Sequence, residues 1–234
     1  FGGDQFANTL SGGAGNDTVG WNPGEDNDTI EGQGGTDTLL FNGANIAETI
    51  NIFANGGRAE LTRDVASITM DTHGVETIAF NARGGADTIN VGDMSGTDVT
   101  EVNLSLASAI NGTAGDGAAD SVVVNGTSGD DIAVVMASAA GVSVLGLSAQ
   151  INIFAAEPAN DRLTLNMRDG DDVVEATGLG VALGLVGNGE NGNDILVGRD
   201  GNDTLNGGEG DDVLTGGPGQ DVLDGGPGDN TVIQ

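Results

Sequence analysis

The residues best suited to chemistry in this sequence are aspartates that recur every nine positions inside glycine-rich segments. Near the C-terminus, residues 207–215 read GGEGDDVLT and residues 216–224 read GGPGQDVLD, with no gap between them. The register continues upstream through 189–197 and 198–206, and downstream through 225–233, where Asn230 takes the aspartate position. Evenly spaced carboxylates favour the binding of hard cations, whose preferred ligands are oxygen atoms.

The nine-residue unit predicts the elements that position these aspartates. Glycine at the first, second and fourth places permits a positive φ and close backbone approach, as a tight turn requires. The apolar eighth residue belongs to a three-residue strand and stacks on its own copies. If two units form one coil, then Asp194, Asp212 and Asn230 lie on one edge of the coil stack, and Asp203 and Asp221 lie on the other. Successive coils are then about 4.8 Å apart.

Carboxylates at this spacing repel one another. Two unit charges about 5 Å apart cost roughly 1 kcal/mol in water and about 3 kcal/mol at an effective dielectric constant near 20. Summed over two ladders, the repulsion rivals the stability of a domain. A calcium ion between successive turns converts the repulsion into attraction, because calcium accepts about six to eight oxygens in a flexible geometry, whereas magnesium demands a tighter octahedron. We therefore predict that the chain binds several Ca²⁺ ions.

The N-terminal part repeats the pattern in 12–20 (GGAGNDTVG) and 32–40 (GQGGTDTLL), with a longer unit at 21–31 between them and a degenerate copy at 3–11. These units resemble the RTX (repeats-in-toxin, hemolysin-type) calcium-binding nonapeptide GGxGxDxUx, in which U is a large apolar residue. The resemblance implies an all-β fold, namely a right-handed parallel β-roll or β-helix solenoid with calcium-binding turns. It also implies a secreted bacterial protein, exported by a type I machinery and folded by calcium outside the cell.

The predicted calcium ligands follow from the register of the repeats. The side-chain candidates are Asp17, Asp28, Asp37, Asp194, Asp203, Asp212 and Asp221. The turn-backbone candidates are Gly15, Gly192, Gly201, Gly208, Gly210, Gly217 and Gly219. Weaker side-chain candidates are Asn8, Asp87, Asp131, Asp172 and Asn230, because they replace aspartate with asparagine or lie outside regular repeats.

The middle of the chain, residues 41–188, lacks regular nonapeptides but contains a longer duplication, in which 43–91 aligns with 126–176. Short alternating runs between Asn-Gly and Gly-Gly turns predict strands, and longer coils predict a wider parallel β-helix. We therefore expect an N-terminal RTX-like roll (1–40), a wider duplicated solenoid (41–188) and a C-terminal RTX roll (189–234), joined as one continuous solenoid.

Composition excludes several classes of partner. The formal charge of −30 argues against binding to nucleic acid or to anionic membranes. Residues 132–156 carry no charge, but scattered polar residues indicate strands and not a membrane helix.

Cysteine is absent, which removes disulfides and thiolate chemistry. The sequence begins at Phe1 without a basic and apolar leader, so we expect a mature portion or a fragment of a longer protein.

Catalytic residues are few. His73 is the only histidine and is expected in an exposed turn; Arg63 is expected to pair with Asp64 at the surface, and Trp21 to cover an exposed edge of the solenoid. We therefore predict no enzyme, but a calcium-stabilised structural module of a secreted or cell-surface protein, such as a surface layer, adhesin, fibre or toxin. It could assemble end to end or contact surface polysaccharide. The alternative is a β-helix polysaccharide lyase or epimerase with accessory calcium rolls, using a groove near Arg58 or Arg162.

Overall fold

The computed structural model describes residues 2–180 and 182–234, and it consists of short strands with a single 3₁₀ helix, Val65–Ser67. Two parallel-rich sheets form a β-roll or β-helix solenoid, which confirms the predicted fold class. Within the described residues, no helix is long and apolar enough to cross a membrane. The uncharged stretch 132–156 forms strands, as predicted.

The chain divides into two compact units, which we describe separately. Unit 1 contains the residues up to 120 together with 148–155. Its strands are β1 (Asn8–Ala14), β2 (Thr18–Trp21), β3 (Asp28–Gly34), β4 (Thr38–Asn42), β5 (Thr49–Asn55), β6 (Arg58–Arg63), β7 (Ile68–His73), β8 (Thr77–Asn81), β9 (Thr88–Val91), β10 (Glu101–Ser105) and β14 (Gln150–Phe154). They lie in the orders β1-β3-β7-β6-β5-β9 and β2-β4-β8-β10-β14.

Unit 2 contains residues 121–147 and 156–234. Its strands are β11 (Ser121–Asn125), β12 (Ile132–Ala137), β13 (Val142–Leu145), β15 (Arg162–Asn166), β16 (Val173–Gly178), β17 (Gly184–Asn191), β18 (Ile195–Val197), β19 (Thr204–Glu209), β20 (Val213–Thr215), β21 (Val222–Asp224) and β22 (Thr231–Ile233). They lie in the orders β11-β15-β17-β19-β21 and β13-β12-β16-β18-β20-β22. The division into three parts that the sequence suggested stays a prediction.

The core consists of apolar side chains stacked in register from strand to strand, because alternate residues of each strand face inward. In unit 2, Val174 lies over Leu196 and Leu196 over Leu214, and all three are fully buried. Val232 continues this row, but 48% of it is exposed. The eighth residue of the nonapeptide therefore sets the core, and the one-to-one register holds the turns directly above one another.

The duplicated middle contains antiparallel hairpins, which the sequence analysis did not predict. In unit 1, β6 pairs antiparallel with both β5 and β7. In unit 2, β12 pairs antiparallel with β13. The two halves of the duplication thus each carry a hairpin after their degenerate repeat. Each returning strand pairs with the strand just before it, so its backbone hydrogen bonds are satisfied within the same half of the duplication.

Trp21 belongs to the core, so the prediction that it covers an exposed edge was wrong. Its side chain is fully buried, and its ring stacks on Phe41 with centroids 4.1 Å apart. Phe41 in turn lies beside Phe80, at 6.1 Å. The cause is register, because Trp21 shares the inward face of β2 with Val19 and pairs with Phe41 of β4. Three aromatic residues therefore stack through unit 1 of a chain that contains few of them.

We predict that Phe41→Ala destabilises the protein by about 3–5 kcal/mol, because it removes the middle ring of this stack and leaves a cavity. Urea unfolding followed by the fluorescence of Trp21, the only tryptophan, measures the loss. Phe6→Ala is the matched control, since 73% of Phe6 is exposed, and it should change stability by less than about 0.5 kcal/mol. Equal losses would contradict the assignment of the aromatic core.

Candidate metal site

The sixth residues of the nonapeptides form hydrogen-bonded ladders along the edges of the coils. The backbone N–H of Asp194 donates to Oδ1 of Asp212 at 2.9 Å, and that of Asp212 donates to Oδ1 of Asn230 at 2.7 Å. On the other edge, the N–H of Asp203 donates to Oδ1 of Asp221 at 3.0 Å. The structure thus places these residues on alternate edges, eighteen positions apart in sequence. We call these residues the inner rungs.

The inner rungs of unit 2 continue into the degenerate middle of the sequence. The N–H of Asp172 donates to Oδ1 of Asp194 at 2.9 Å, and the N–H of Asp131 donates to Oδ1 of Asp172 at 2.7 Å. These two residues seemed isolated in the sequence, where a lone aspartate is typical of a turn. The structure instead brings them into one ladder with the C-terminal repeats.

Unit 1 has three shorter ladders of the same kind, and two of their rungs are glutamates that the sequence analysis missed. The additional members are Glu48, whose N–H donates to Oδ1 of Asp87, and Glu76, whose Oε2 accepts from Asp37. Both are followed by Thr and an apolar residue, as Asp37 and Asp87 are, and this was the available signal. The ladders run from Asn8 to Asp28, from Asp17 through Asp37 to Glu76, and from Glu48 through Asp87 to Asp120.

The fifth residues form an outer, exposed ladder that runs in the opposite direction. The N–H of Asn193 donates to Oδ1 of Asp171 at 2.8 Å, that of Asp211 to Oδ1 of Asn193 at 2.9 Å, and that of Asp229 to Oδ1 of Asp211 at 2.8 Å. Inner rungs therefore bind the backbone of the coil before them, and outer rungs that of the coil after them. The sequence analysis assigned no role to the fifth place.

Several inner-rung carboxylates are buried with one oxygen that accepts no hydrogen bond. Among the described residues, the second oxygen, Oδ2, has no hydrogen-bond donor in six rungs: Asp28, Asp37, Asp87, Asp172, Asp194 and Asp212. Burying a charged oxygen without a partner is costly. These oxygens accordingly need a cation or a proton.

Burial raises the pKa of several rungs. The pKa of Asp87 rises to about 8 because burial removes water from its carboxylate, and the charge of Asp120 adds to the rise against the lowering effect of the Glu48 N–H. Burial raises the pKa of Asp172 to about 6 in the same way, opposed by the Asp131 N–H and reinforced by Asp194. Burial also raises the pKa values of Asp28, Asp194 and Asp203. Without a cation, Asp87 therefore holds a proton near neutral pH.

The glycines of the turn have two distinct roles. The second and fourth places have a left-handed backbone in most units, as in Gly208 (φ 117°) and Gly210 (φ 137°). The first place does not; there a Cβ would collide with the rung carboxylate of the same unit, as at Gly207 against Oδ2 of Asp212. All the predicted backbone candidates have a left-handed φ except Gly219. Glycine at the first place thus leaves the rung carboxylate room within its turn.

These residues fit a calcium ion. The described residues contain no group of three or more acidic, His or Cys side chains arranged around one point. An ion between turns would therefore take carboxylate oxygens from the rungs and complete its shell with backbone carbonyls of the glycine turns. Calcium tolerates this mixture of oxygen ligands and irregular geometry. The rungs would supply the charge, and the turns most of the ligands.

Comparison with protein families gives the same assignment. The model of the RTX calcium-binding nonapeptide repeat matches in four copies, at residues 2–19, 24–45, 188–223 and 197–232. The chain carries RTX calcium-binding repeats. The matched segments include every strongly predicted rung but cover only about a third of the chain. A search of curated proteins finds no match to this chain. The RTX ladders are thus assigned by family, and the individual calcium ligands stay predictions.

The residues considered for catalysis are divided between the units: His73 and Arg58 belong to unit 1, and Arg162 lies in β15 of unit 2. His73 is exposed, as expected, with Nδ1 3.5 Å from Glu31. Arg58 is paired with Glu31 and Asp71. The expectation that Arg63 pairs with Asp64 at the surface was wrong, because Arg63 is buried against Glu48, and the side chain of Asp64 caps the 3₁₀ helix.

We predict that Asp212→Asn lowers calcium affinity roughly tenfold or more, because it removes a rung charge but keeps the Oδ1 acceptor. Asp211→Asn is the matched control, since it makes the same chemical change one residue away on the outer ladder and should leave affinity within about twofold. Isothermal titration calorimetry measures both. Equal losses would contradict the division into inner and outer rungs.

We also predict that acid partly replaces calcium. A rung whose pKa is raised by folding contributes stability below its unfolded pKa, near 3.8, and that stability is lost as pH rises through the folded value, about 8 for Asp87 and about 6 for Asp172. Calcium-stripped protein should therefore become less stable between pH 4 and pH 8, as measured by thermal circular dichroism. In Asp87→Asn the decline between pH 6 and pH 8 should flatten. Stability that rises with pH in the stripped protein would contradict this.

Proposed function

We propose that this chain is a calcium-stabilised structural solenoid module of a secreted or cell-surface protein, which folds when it meets calcium outside the cell. The observation that carries the proposal is the ladder of buried carboxylates whose second oxygen has no donor. A fold with such rungs is penalised wherever calcium is scarce and stabilised wherever it is abundant, because binding energy available only to the folded state is folding energy.

The RTX family supports the remaining parts of the proposal. Its repeats are generally structural and typically occur in secreted proteins. The formal charge of −30 adds long-range repulsion that disfavours compact structure until cations bind. The absence of cysteine means that folding requires no oxidation step. Folding outside the cell therefore depends on calcium.

The test is a calcium titration of chelator-treated protein, followed by far-ultraviolet circular dichroism. We expect β-signal to develop with a midpoint of about 0.1–1 mM, the range of extracellular calcium modules. Magnesium at the same concentration should have little effect, because it demands near-ideal octahedral geometry. Unchanged β-signal and melting in chelator would overturn the calcium mechanism, and a midpoint near 1 μM would overturn the extracellular role.

A further inference from the structure

Two inner rungs are in contact with a buried guanidinium, and this sets them apart from the other rungs. The side chains of Arg63 and Glu48 are 4% and 0% exposed, and those of Arg199 and Asp203 are 6% and 0% exposed. One pair lies in unit 1 and the other in unit 2. A buried arginine carries a permanent charge, since it does not lose its proton in proteins.

Arg199 contacts the same classes of oxygen that a calcium ion would bind. Its Nε lies 3.1 Å from Oδ1 of Asp203, without the alignment of a hydrogen bond, so the contact is a charge interaction. Its Nη1 donates to the carbonyl of Gly180 at 2.9 Å and also to the carbonyl of Asp200. The guanidinium therefore joins one rung carboxylate to two backbone carbonyls.

Arg199 lies in the same repeat as the Asp203 carboxylate that it contacts. It occupies the second place of its nonapeptide, where the RTX pattern has glycine, and Nη1 lies against Gly201 at the fourth place of the same turn. Gly180 belongs to the loop before β17, and residues 176–189 contain no acidic residue. Asp203 is thus the first rung of its ladder: it has Asp221 on one side, and on the other it has the Arg199 guanidinium.

Glu48 occupies the equivalent position in unit 1. It is the first rung of the ladder that continues through Asp87 and Asp120. Arg63 reaches it from β6, the antiparallel neighbour of β5, with Nε 2.6 Å from Oε1 of Glu48. The guanidinium lies 5.4 Å from the ring of Trp21, which holds it over the aromatic core. The two arginines come from different structural contexts and meet the same kind of rung.

We propose that Arg63 and Arg199 are built-in counterions that replace calcium at the first rung of their ladders. The inference rests on the proposed calcium function and makes it more specific. Calcium binds between rungs, and the guanidinium neutralises the side of the first rung that has no acidic neighbour. The number of ions bound to the chain is therefore set by these arginines as well as by the aspartates.

The test uses Arg199→Gly in the full chain, which restores glycine to the second place of the turn. Equilibrium dialysis at saturating calcium should count one more ion per chain than in the wild type. The substitution removes the guanidinium from the Asp203 carboxylate and from the carbonyls of Gly180 and Asp200, so that these oxygens can bind calcium. The ions are counted on calcium-saturated, folded protein, so a loss of stability in the calcium-free variant does not affect the count. Arg199→Lys keeps a cation and should leave the number of ions unchanged.

Arg168→Gly is the matched control. Arg168 also occupies the second place of a degenerate repeat, with φ of 83°, but its side chain is exposed. We expect no change in the number of ions. If the wild type binds calcium and Arg199→Gly binds the same number of ions, the counterion role is overturned and the calcium function stands. If neither protein binds calcium, the proposed function itself fails.

Discussion

The stacking of buried carboxylates in successive turns is the constraint on which the rest of this structure depends. The rungs cannot move apart, because the strands that follow them are held one to one by the buried row of Val174, Leu196 and Leu214. Strand spacing fixes neighbouring charges near 4.8 Å. Repulsion therefore has to be compensated where it arises, by backbone donors, by fixed guanidinium groups or by bound cations.

The hydrogen-bonding of the turns leaves them rich in acceptors. The N–H groups of the fifth and sixth residues, such as Asp211 and Asp212, donate to side chains of neighbouring coils. That of the fourth residue, Gly210, donates to the carbonyl of Pro227. Few backbone donors then remain for the other carbonyls of the turn. Such an arrangement is unfavourable by itself and becomes favourable with a cation, which is the physical basis of the proposed link between folding and calcium.

The regular repeats made the ends of the chain predictable, because each copy constrains the next one. The period located Asp194, Asp203, Asp212 and Asp221 and their alternate edges. It could not reveal contacts that depend on a particular neighbour. The burial of Trp21 follows from its register with a distant strand, and the counterion contacts of Arg63 and Arg199 follow from an inserted hairpin and an adjoining loop. Each of these features occurs at a single position and does not recur with the repeat, so the repeat pattern cannot predict it.

The distribution of Asn and Asp separates the two tasks of the rungs. Asn230 accepts the N–H of Asp212 at 2.7 Å, as well as Asp212 accepts that of Asp194 at 2.9 Å, so the hydrogen bond needs an oxygen and no charge. On the exposed outer ladder, Asn193 and Asp211 serve equally as acceptors, Asn193 for the N–H of Asp211 and Asp211 for that of Asp229. The buried inner rungs are nonetheless mostly acidic, although a neutral amide there would remove the repulsion. Their charge contributes nothing to the backbone ladder and becomes favourable only where a cation neutralises it.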